Sequence, residues 1–494
     1  MTFSIQRRVL LQGLAAAGFL SAFSLPVMAE SLPAQWDEAF DVVIVGSGFA
    51  GMAAAASALA EGASVLVLEK MPAAGGNSAI AGGGFAAWTD HEHRREKLNL
   101  GEDSEARHRM DTLKGGDFFN DPALVDVLVK NAPAAMDWML EEGGLVLNKG
   151  LGRVGGHTAY RDHMATGRRY LDALEVIAKK AGFTGVRTRT EALKLWKDEK
   201  TEAVVGLQAK GRGGVRNIRA KKGVVLAAGG FGHDVAFRMK YVPTLSSAYN
   251  STNQPGATGQ ALVMAQEAGA DTLHLAFIQL FPTAEPTKGL IDRPALFPIQ
   301  FPGFGAVYVS EKGKRFVSEL GRRDVVAQAE IATGGERTWC IFNAQVFGKL
   351  TDPAEIEKFV ASGRVKKGET LAALAQAMGV PADALEATLK EHNEILAQKK
   401  DPAFGKPVTA AMQPMTEGPY YAVAQWPSVH HCQGGVRINA QAQVIDIHGK
   451  PIPGLFAAGE FVGGVHGNNR LGGNAIADCI VFGRVAGRNA AKGA

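Results

Sequence analysis

DVVIVGSGFAGMAAAASALAEGASVLVLEK, Asp41 to Lys70, decides the fold. Asp41 to Gly46 is a short apolar run suited to a buried parallel strand, Phe49 to Gly62 is an alanine-rich helix, and Ser64 to Glu69 is a second buried strand. Gly46, Gly48 and Gly51 stand where a tight turn, the approach of a pyrophosphate and close helix–strand packing each exclude a side chain. Glu69 closes the second strand about 20 residues on, where a carboxylate accepts from ribose hydroxyls. With strand, helix and terminal acid in register, the segment is a dinucleotide-binding βαβ unit. A glycine-rich hinge would leave Glu69 without a purpose.

Far along the chain lies a second glycine-rich signature, AAGEFVGGVHGNNRLGGNAIAD, Ala457 to Asp478. Two signatures at opposite ends imply that both termini close on one dinucleotide, with a substrate-bearing insert between them. Arg470 sits amid those glycines, where a fixed cation can face a ligand, and this combination points to a flavoenzyme. The loop Met71 to Ala87 is dense in glycine and lets backbone N–H groups face phosphate and ring heteroatoms. Lys222 to Gly230 and Pro453 to Glu460 are two further buried-strand candidates ending in glycines. From Phe281 to His430 the texture changes to alternating strand patterns such as Ala306-Val307-Tyr308-Val309 and charged helices such as Pro381 to Lys400. The charges from Glu386 to Lys400 read as a solvated helix face.

At 494 residues and 46% hydrophobic, the chain can bury a large core and divide into two domains. The net charge is +4, or +2 once Arg7 and Arg8 of a leader are discounted, which gives no electrostatic footprint for nucleic acid. Cys340, Cys432 and Cys479 are too far apart for CxxC or CxxCH. A covalent c-type haem and a four-cysteine iron–sulfur or zinc site are thereby excluded, and no metal site is expected. Arg7 and Arg8, an apolar stretch and Val27-Met28-Ala29 read as a twin-arginine signal peptide over residues 1–29, which implies a periplasmic protein exported already folded.

GSGFAG (Gly46 to Gly51), GGNS (Gly75 to Ser78), GKRFVSELGRRD (Gly313 to Asp324), HHCQGG (His430 to Gly435) and AAGE with HGNNRLGGN occur in one order and spacing. In these motifs the chain resembles the flavoprotein subunit of the fumarate reductase and succinate dehydrogenase family. Within it, the chain is similar to the soluble periplasmic branch of flavocytochrome c fumarate reductases and urocanate reductases. The resemblance implies an α/β fold: a Rossmann-like FAD-binding domain of the glutathione-reductase type, residues 30–280 and 431–494, with an inserted α+β capping domain, residues 281–430. It implies FAD, and hydride transfer from the reduced flavin to an activated C=C. Covalent members carry a histidine where this chain has Gly76-Asn77-Ser78, so noncovalent FAD is expected. Cofactor contacts are expected from Gly46, Gly48, Ala50, Gly51, Glu69 and Lys70, from Gly76, Asn77, Ser78, Gly82 and Gly83, and from Ala228 and Gly229. Glu460 matches the acid on the ribitol, and Asn474, Ala475 and Ile476 would begin a helix aimed at the flavin pyrimidine ring.

The same resemblance assigns His430 and Arg470 to the substrate carboxylate and Arg323 to proton donation. A forked guanidinium holds a carboxylate in two parallel bonds, and a second donor polarises it toward hydride. Free guanidinium is a very poor acid, with a pKa above about 12, so Arg323 needs an unusual setting. Without the resemblance, a salt bridge from Arg323 to Asp324 or Glu319 would be the plainer reading. The chain also departs from the pattern. Phe281 replaces the histidine of a His-Pro-Thr segment, leaving Phe281 and Thr283 as the expected substrate contacts there, and the acidic and basic relay positions become Ile299 and Pro302. An apolar wall opposite a second carboxylate would leave that charge unpaired. Phe281 with Phe297, Phe301 and Phe304 points to an apolar or aromatic group beyond a single carboxylate, as in cinnamate or urocanate. Proton delivery is unassigned, with Asp292 and Arg293 nearby in sequence. The expected electron donor is a separate multihaem cytochrome c or a quinol-linked cytochrome, so any membrane contact is indirect. Fumarate reduction itself, or dehydrogenation of a saturated acid or ketosteroid-like ring, are the alternatives.

Overall fold

Val42, Val43 and Ile44 are wholly buried, and a strand with no exposed face belongs in the middle of a parallel sheet. A computed structural model describes residues 32–493 apart from Val154 and Lys349; the leader expected at residues 1–29 lies outside them. In it, β1 (Glu38–Val45) pairs in parallel with β2 (Val65–Leu68) on one side and with Gly214–Leu226 on the other. Pro451–Ala457 adds in parallel to the far side of Gly214–Leu226, so a strand from the end of the chain joins the sheet begun at its start. An antiparallel meander, Glu191–Lys197, Val204–Gly211 and Gly214–Leu226, completes a doubly covered α/β sheet. The expected fold class is the one observed.

The helix α1 (Phe49–Ala60) is alanine-rich because another helix lies directly on it. A Cβ added to Gly483 would come 2.5 Å from the carbonyl oxygen of Ala50, and one on Gly487 would come 2.2 Å from that of Ala54. The C-terminal helix Asn474–Lys492 therefore touches α1 backbone to backbone.

The insert has its own sheet. Ile278–Ala284 pairs antiparallel with the long strand Tyr420–Cys432, which also carries Thr338–Asn343 and Val365–Gly368, and Val307–Ser310 lies outermost. Its core holds Phe297, Phe301, Phe342, Trp339 and Tyr421. Val307–Ser310 was expected to alternate, but all four residues are buried, because loops and helices of the cap cover both faces. The helix Ala382–Gln398 does show its charges to solvent, with Leu385, Leu389 and Ile395 turned inward.

Gly487→Ala is expected to destabilise the protein by about 2 kcal/mol, since the added methyl meets backbone that cannot yield as a side chain can. Thermal unfolding monitored with flavin fluorescence should show a lowered midpoint with earlier cofactor release; an unchanged midpoint would refute the close contact.

Candidate active site

A cleft with about 980 Å³ of empty space opens at the carboxyl end of β1. Gly46, Gly48, Ala50, Glu69, Lys70, Gly76, Asn77, Ser78, Ala228, Gly229 and Glu460 all line it. Glycine is required at Gly46, where φ is +105° and a Cβ would lie 2.2 Å from the Ala227 carbonyl oxygen. Gly51 is not part of the lining; it lets α1 pack on the turn, since a Cβ there would meet Gly46 O at 1.9 Å. The Ser47 hydroxyl donates to Glu69 at 2.6 Å and Met71 N–H donates to its other oxygen at 2.9 Å, leaving further lone pairs for a ribose. Ser78 Oγ accepts from Phe49 N–H at 2.9 Å, while Asn77 pins the segment at Asn253 and Gln254. Lys70 is held by Thr258 and Gln260. Small residues, a ribose acceptor and an elongated cleft fit FAD.

Gly82, Gly83 and Asn474 to Ile476 do not line this cleft. Gly83 is glycine for chain packing, with a Cβ position 1.6 Å from Ala165 O. Asn474 turns its side chain into the helix Glu105–Gly115, donating to Thr112 at 3.0 Å and lying 2.9 Å from His108 Nε2. Any contact from the start of the C-terminal helix to a cofactor must come from its backbone.

Arg470, in the segment between Glu460 and the C-terminal helix, is buried. Nη2 donates to Gln279 Oε1 at 2.8 Å and Nη1 to Leu471 O at 3.3 Å, but Nε has no partner. A buried guanidinium with unmet donors is a site for an anion. Burial first, and the charge of Arg323 second, lower the Arg470 pKa to about 9. His430 Nδ1 lies 2.8 Å from Thr252 Oγ, and its ring packs on Phe281 with centroids 5.0 Å apart. Burial, followed by the charges of Arg470 and Arg323, holds His430 well below the ordinary histidine range, so the ring is neutral. Glu460, which accepts from Cys432 N–H at 3.0 Å, is raised by burial to about 7.

Arg323 lies with its guanidinium carbon 5.3 Å from the centre of the Phe281 ring, on the side of the cap facing Arg470. The salt bridges to Asp324 or Glu319 are not made by Arg323. Arg322 takes Asp324 instead, and Glu319 is held by Arg315 and Lys406. Arg323 is also the first residue of the helix Arg323–Ala332, so its charge stands at the positive end of the helix dipole. Desolvation lowers its pKa to about 10. That is the setting a proton-donating guanidinium needs.

One expectation from the sequence is corrected. Phe297 and Phe301 stack on each other at 4.8 Å and meet Phe342 edge-on inside the cap core, with Phe304 packed against it. They do not wall the substrate. Asp292 and Arg293 are committed to Arg364 and Glu355. Thr283 is buried and donates to Ala295 O at 2.9 Å, so its hydrogen is already used. Gln279 and Thr252, which orient Arg470 and His430, were not foreseen; Gln279 stands two residues before Phe281, on the same face of its strand.

The cleft fits FAD, and the relatives of the chain make it an FAD-dependent oxidoreductase acting on C=C bonds. A family of FAD binding domains matches residues 41–476. The chain is 38% identical over 458 residues to the fumarate reductase (cytochrome) of Shewanella frigidimarina, covering 92% of this chain and 77% of that protein. It is 37% identical to the urocanate reductase of Eggerthella lenta (91% and 74% covered). To the acrylate reductase flavoprotein subunit of Shewanella woodyi it is 35% identical, covering 98% of this chain and 97% of that one. The open conformation of a flavocytochrome c3 fumarate reductase matches with a TM-score of 0.78 at 37% identity, over 93% of this chain and 79% of that structure. The chain belongs to this FAD binding domain family, alongside these fumarate, urocanate and acrylate reductases.

Glu330, two turns after Arg323 on the same helix, is wholly buried and raised to about 8 by desolvation. Its Oε1 accepts from Thr338 at 2.6 Å and Gln425 at 2.7 Å, while Oε2 has no partner. The folded state thus binds a proton that the unfolded chain releases near pH 4.3. Stability from this group is full below that value and is lost as pH rises toward 8. Glu330→Gln is expected to flatten the pH dependence of urea unfolding across that window and to raise stability at pH 8. A variant as pH-sensitive as the parent would contradict this.

Proposed function

We propose that the protein reduces the C=C bond of a small 2-enoate with one carboxylate, acrylate or a short apolar homologue, at noncovalently held FAD. The observation that carries the reading is Phe281 packed on His430, an apolar surface where a second carboxylate would need a donor. With Phe297 and Phe301 in the cap core, the support for an aryl tail is reduced to this one ring. The whole-length match to a protein named acrylate reductase flavoprotein subunit supports the same substrate class and a donor on another polypeptide.

Bound FAD supplies the hydride, delivered to the β-carbon. Arg470 holds the carboxylate through Nε and its remaining N–H groups. In the tautomer this reaction requires, Thr252 donates to Nδ1 and the neutral His430 ring presents an Nε2 proton to the carboxylate, drawing electron density from the alkene. Arg323 gives its proton to the α-carbon, yielding the saturated acid, and is reprotonated from solvent. No histidine lines the FAD cleft, which supports noncovalent binding. The twin-arginine leader expected from the sequence supports a periplasmic site, and the donor proposed there is a separate multihaem or quinol-linked cytochrome. No helix of the described residues is long and apolar enough to cross a membrane.

With reduced viologen as donor, acrylate is expected to outrun urocanate, cinnamate and fumarate in kcat/KM; a preference for fumarate would sink the proposal. Phe281→His should raise kcat/KM for fumarate by about tenfold or more, by placing a donor where the second carboxylate lies. Arg323→Ala should lower kcat about a thousandfold while substrate still perturbs the flavin spectrum at similar concentrations. Arg470→Ala should abolish that perturbation with FAD retained. Loss of FAD from Arg470→Ala would make this arginine a cofactor clamp.

A further inference from the structure

The turn after the helix Glu105–Gly115 belongs to the FAD-binding domain, yet it touches each part that must come together for turnover. Asp117 and Phe118 both have left-handed backbone, with φ of 53° and 59°, conformations that residues with side chains adopt only when their surroundings enforce them. Toward the substrate anchor, Asn468 N–H donates to Gly116 O at 3.0 Å, Asn469 Nδ2 to Gly115 O at 3.1 Å, and Asn468 Nδ2 to Asp117 Oδ2 at 3.0 Å. These bonds grip the segment that carries Arg470. Toward the strand that enters the cap, Phe119 packs edge-on against Phe277 at 5.4 Å. Toward the cap helix, Asp117 takes the Nη1 and Nη2 edge of Arg322 at 2.6 and 2.9 Å. The remaining Nε and Nη2 edge of the same guanidinium is forked by Asp324 at 2.8 and 2.6 Å.

We propose that Asp117 and Arg322 form a clasp between the two domains that positions Arg323 against Arg470. Arg322 is next to Arg323 in the chain and is the N-cap residue of its helix; one edge of its guanidinium holds Asp324 in the first turn, and the other is free to reach across to Asp117. The pair is partly exposed, with side-chain accessibilities of 29% for Arg322 and 36% for Asp117. It is therefore weak enough to open and sensitive to salt. Its effect is geometric: a small misplacement of the proton donor is costly to rate even where binding is unchanged. Both residues are positioning residues, acting through Arg323 and the Arg470 segment. The inference rests on Arg323 as the proton donor in the proposed reaction.

The test uses the holoenzyme with acrylate and reduced viologen, together with hydrogen–deuterium exchange. Asp117→Asn and Arg322→Thr are each expected to lower kcat about tenfold with KM changed less than about threefold. They should speed amide exchange in residues 323–332 and 465–471, and Asp117→Glu should recover most of the lost rate. Raising salt should lower kcat of the parent enzyme and leave Asp117→Asn unaffected. Unchanged exchange in both variants, or kcat within twofold of the parent, would overturn the clasp. Exchange does not depend on catalysis, so a failure of the Arg323 assignment, read from Arg323→Ala, is distinguishable from a failure of the clasp.

Discussion

The backbone contact of Gly483 and Gly487 with Ala50 and Ala54 is the constraint from which the rest of the site follows. Two helices from opposite ends of the chain can approach this closely only if one presents glycine and the other nothing larger than alanine. Once the C-terminal helix is seated on α1, Pro451–Ala457 falls into parallel register beside Gly214–Leu226. The stretch between that strand and that helix, Ala458 to Gly473, then has to cross the mouth of the cleft opened by Gly46 and Gly48. Arg470 is fixed there by packing decided tens of residues away. Its loop is stiffened by hydrogen bonds to Gln279 and to the 115–120 turn.

A second constraint governs the cap. The chain enters it through Ile278–Ala284 and leaves through Tyr420–Cys432, and these two strands pair antiparallel, with Gln279 opposite His431 and Phe281 opposite Ser428. The hinge is thus a two-stranded ribbon, and both His430 and Phe281 lie on it. Arg470 comes from the other domain. A carboxylate held by both His430 and Arg470, as proposed, would tie ribbon to base and couple substrate binding to cap position.

How much of this was legible in the sequence depended on where the physics was local. Gly46, Gly48, Gly51 and Glu69 act within one βαβ unit, so their spacing reports their use directly. The HGNNRLGG segment was equally readable, because few roles other than ligand or backbone contact need a cation amid glycines. Gln279, Thr252 and Asp117 were not readable. Each is an ordinary polar residue whose meaning comes from a partner 170 or more positions away in sequence. The phenylalanines of the cap were misread for a related reason. An apolar residue in an insert serves core and pocket equally well, and only the stacking of Phe297 and Phe301 against Phe342 separates the two. The helix start at Asn474 was placed correctly as a helix, but its amide turned inward to Thr112 and His108, which spacing along a single chain does not encode.

Charge bears on the proposed preference for one carboxylate over two. Arg323 and Arg470 are both desolvated cations, and the charge of Arg323 adds to burial in lowering the Arg470 pKa. Glu460 compensates only partly, since burial raises its pKa to about 7. A monoanion placed against Arg470 relieves the repulsion and satisfies Nε. A dianion would set its second charge near Phe281, a ring that offers no hydrogen bond, so that only Arg323, the proposed proton donor, could meet it. The replacement of histidine by Phe281 also leaves Arg323 beside a ring face instead of a second imidazole. This attractive but uncharged surface steadies the guanidinium and does not compete for its proton. In the proposed reaction, Phe281 would thus bear both on which acid is accepted and on where Arg323 sits.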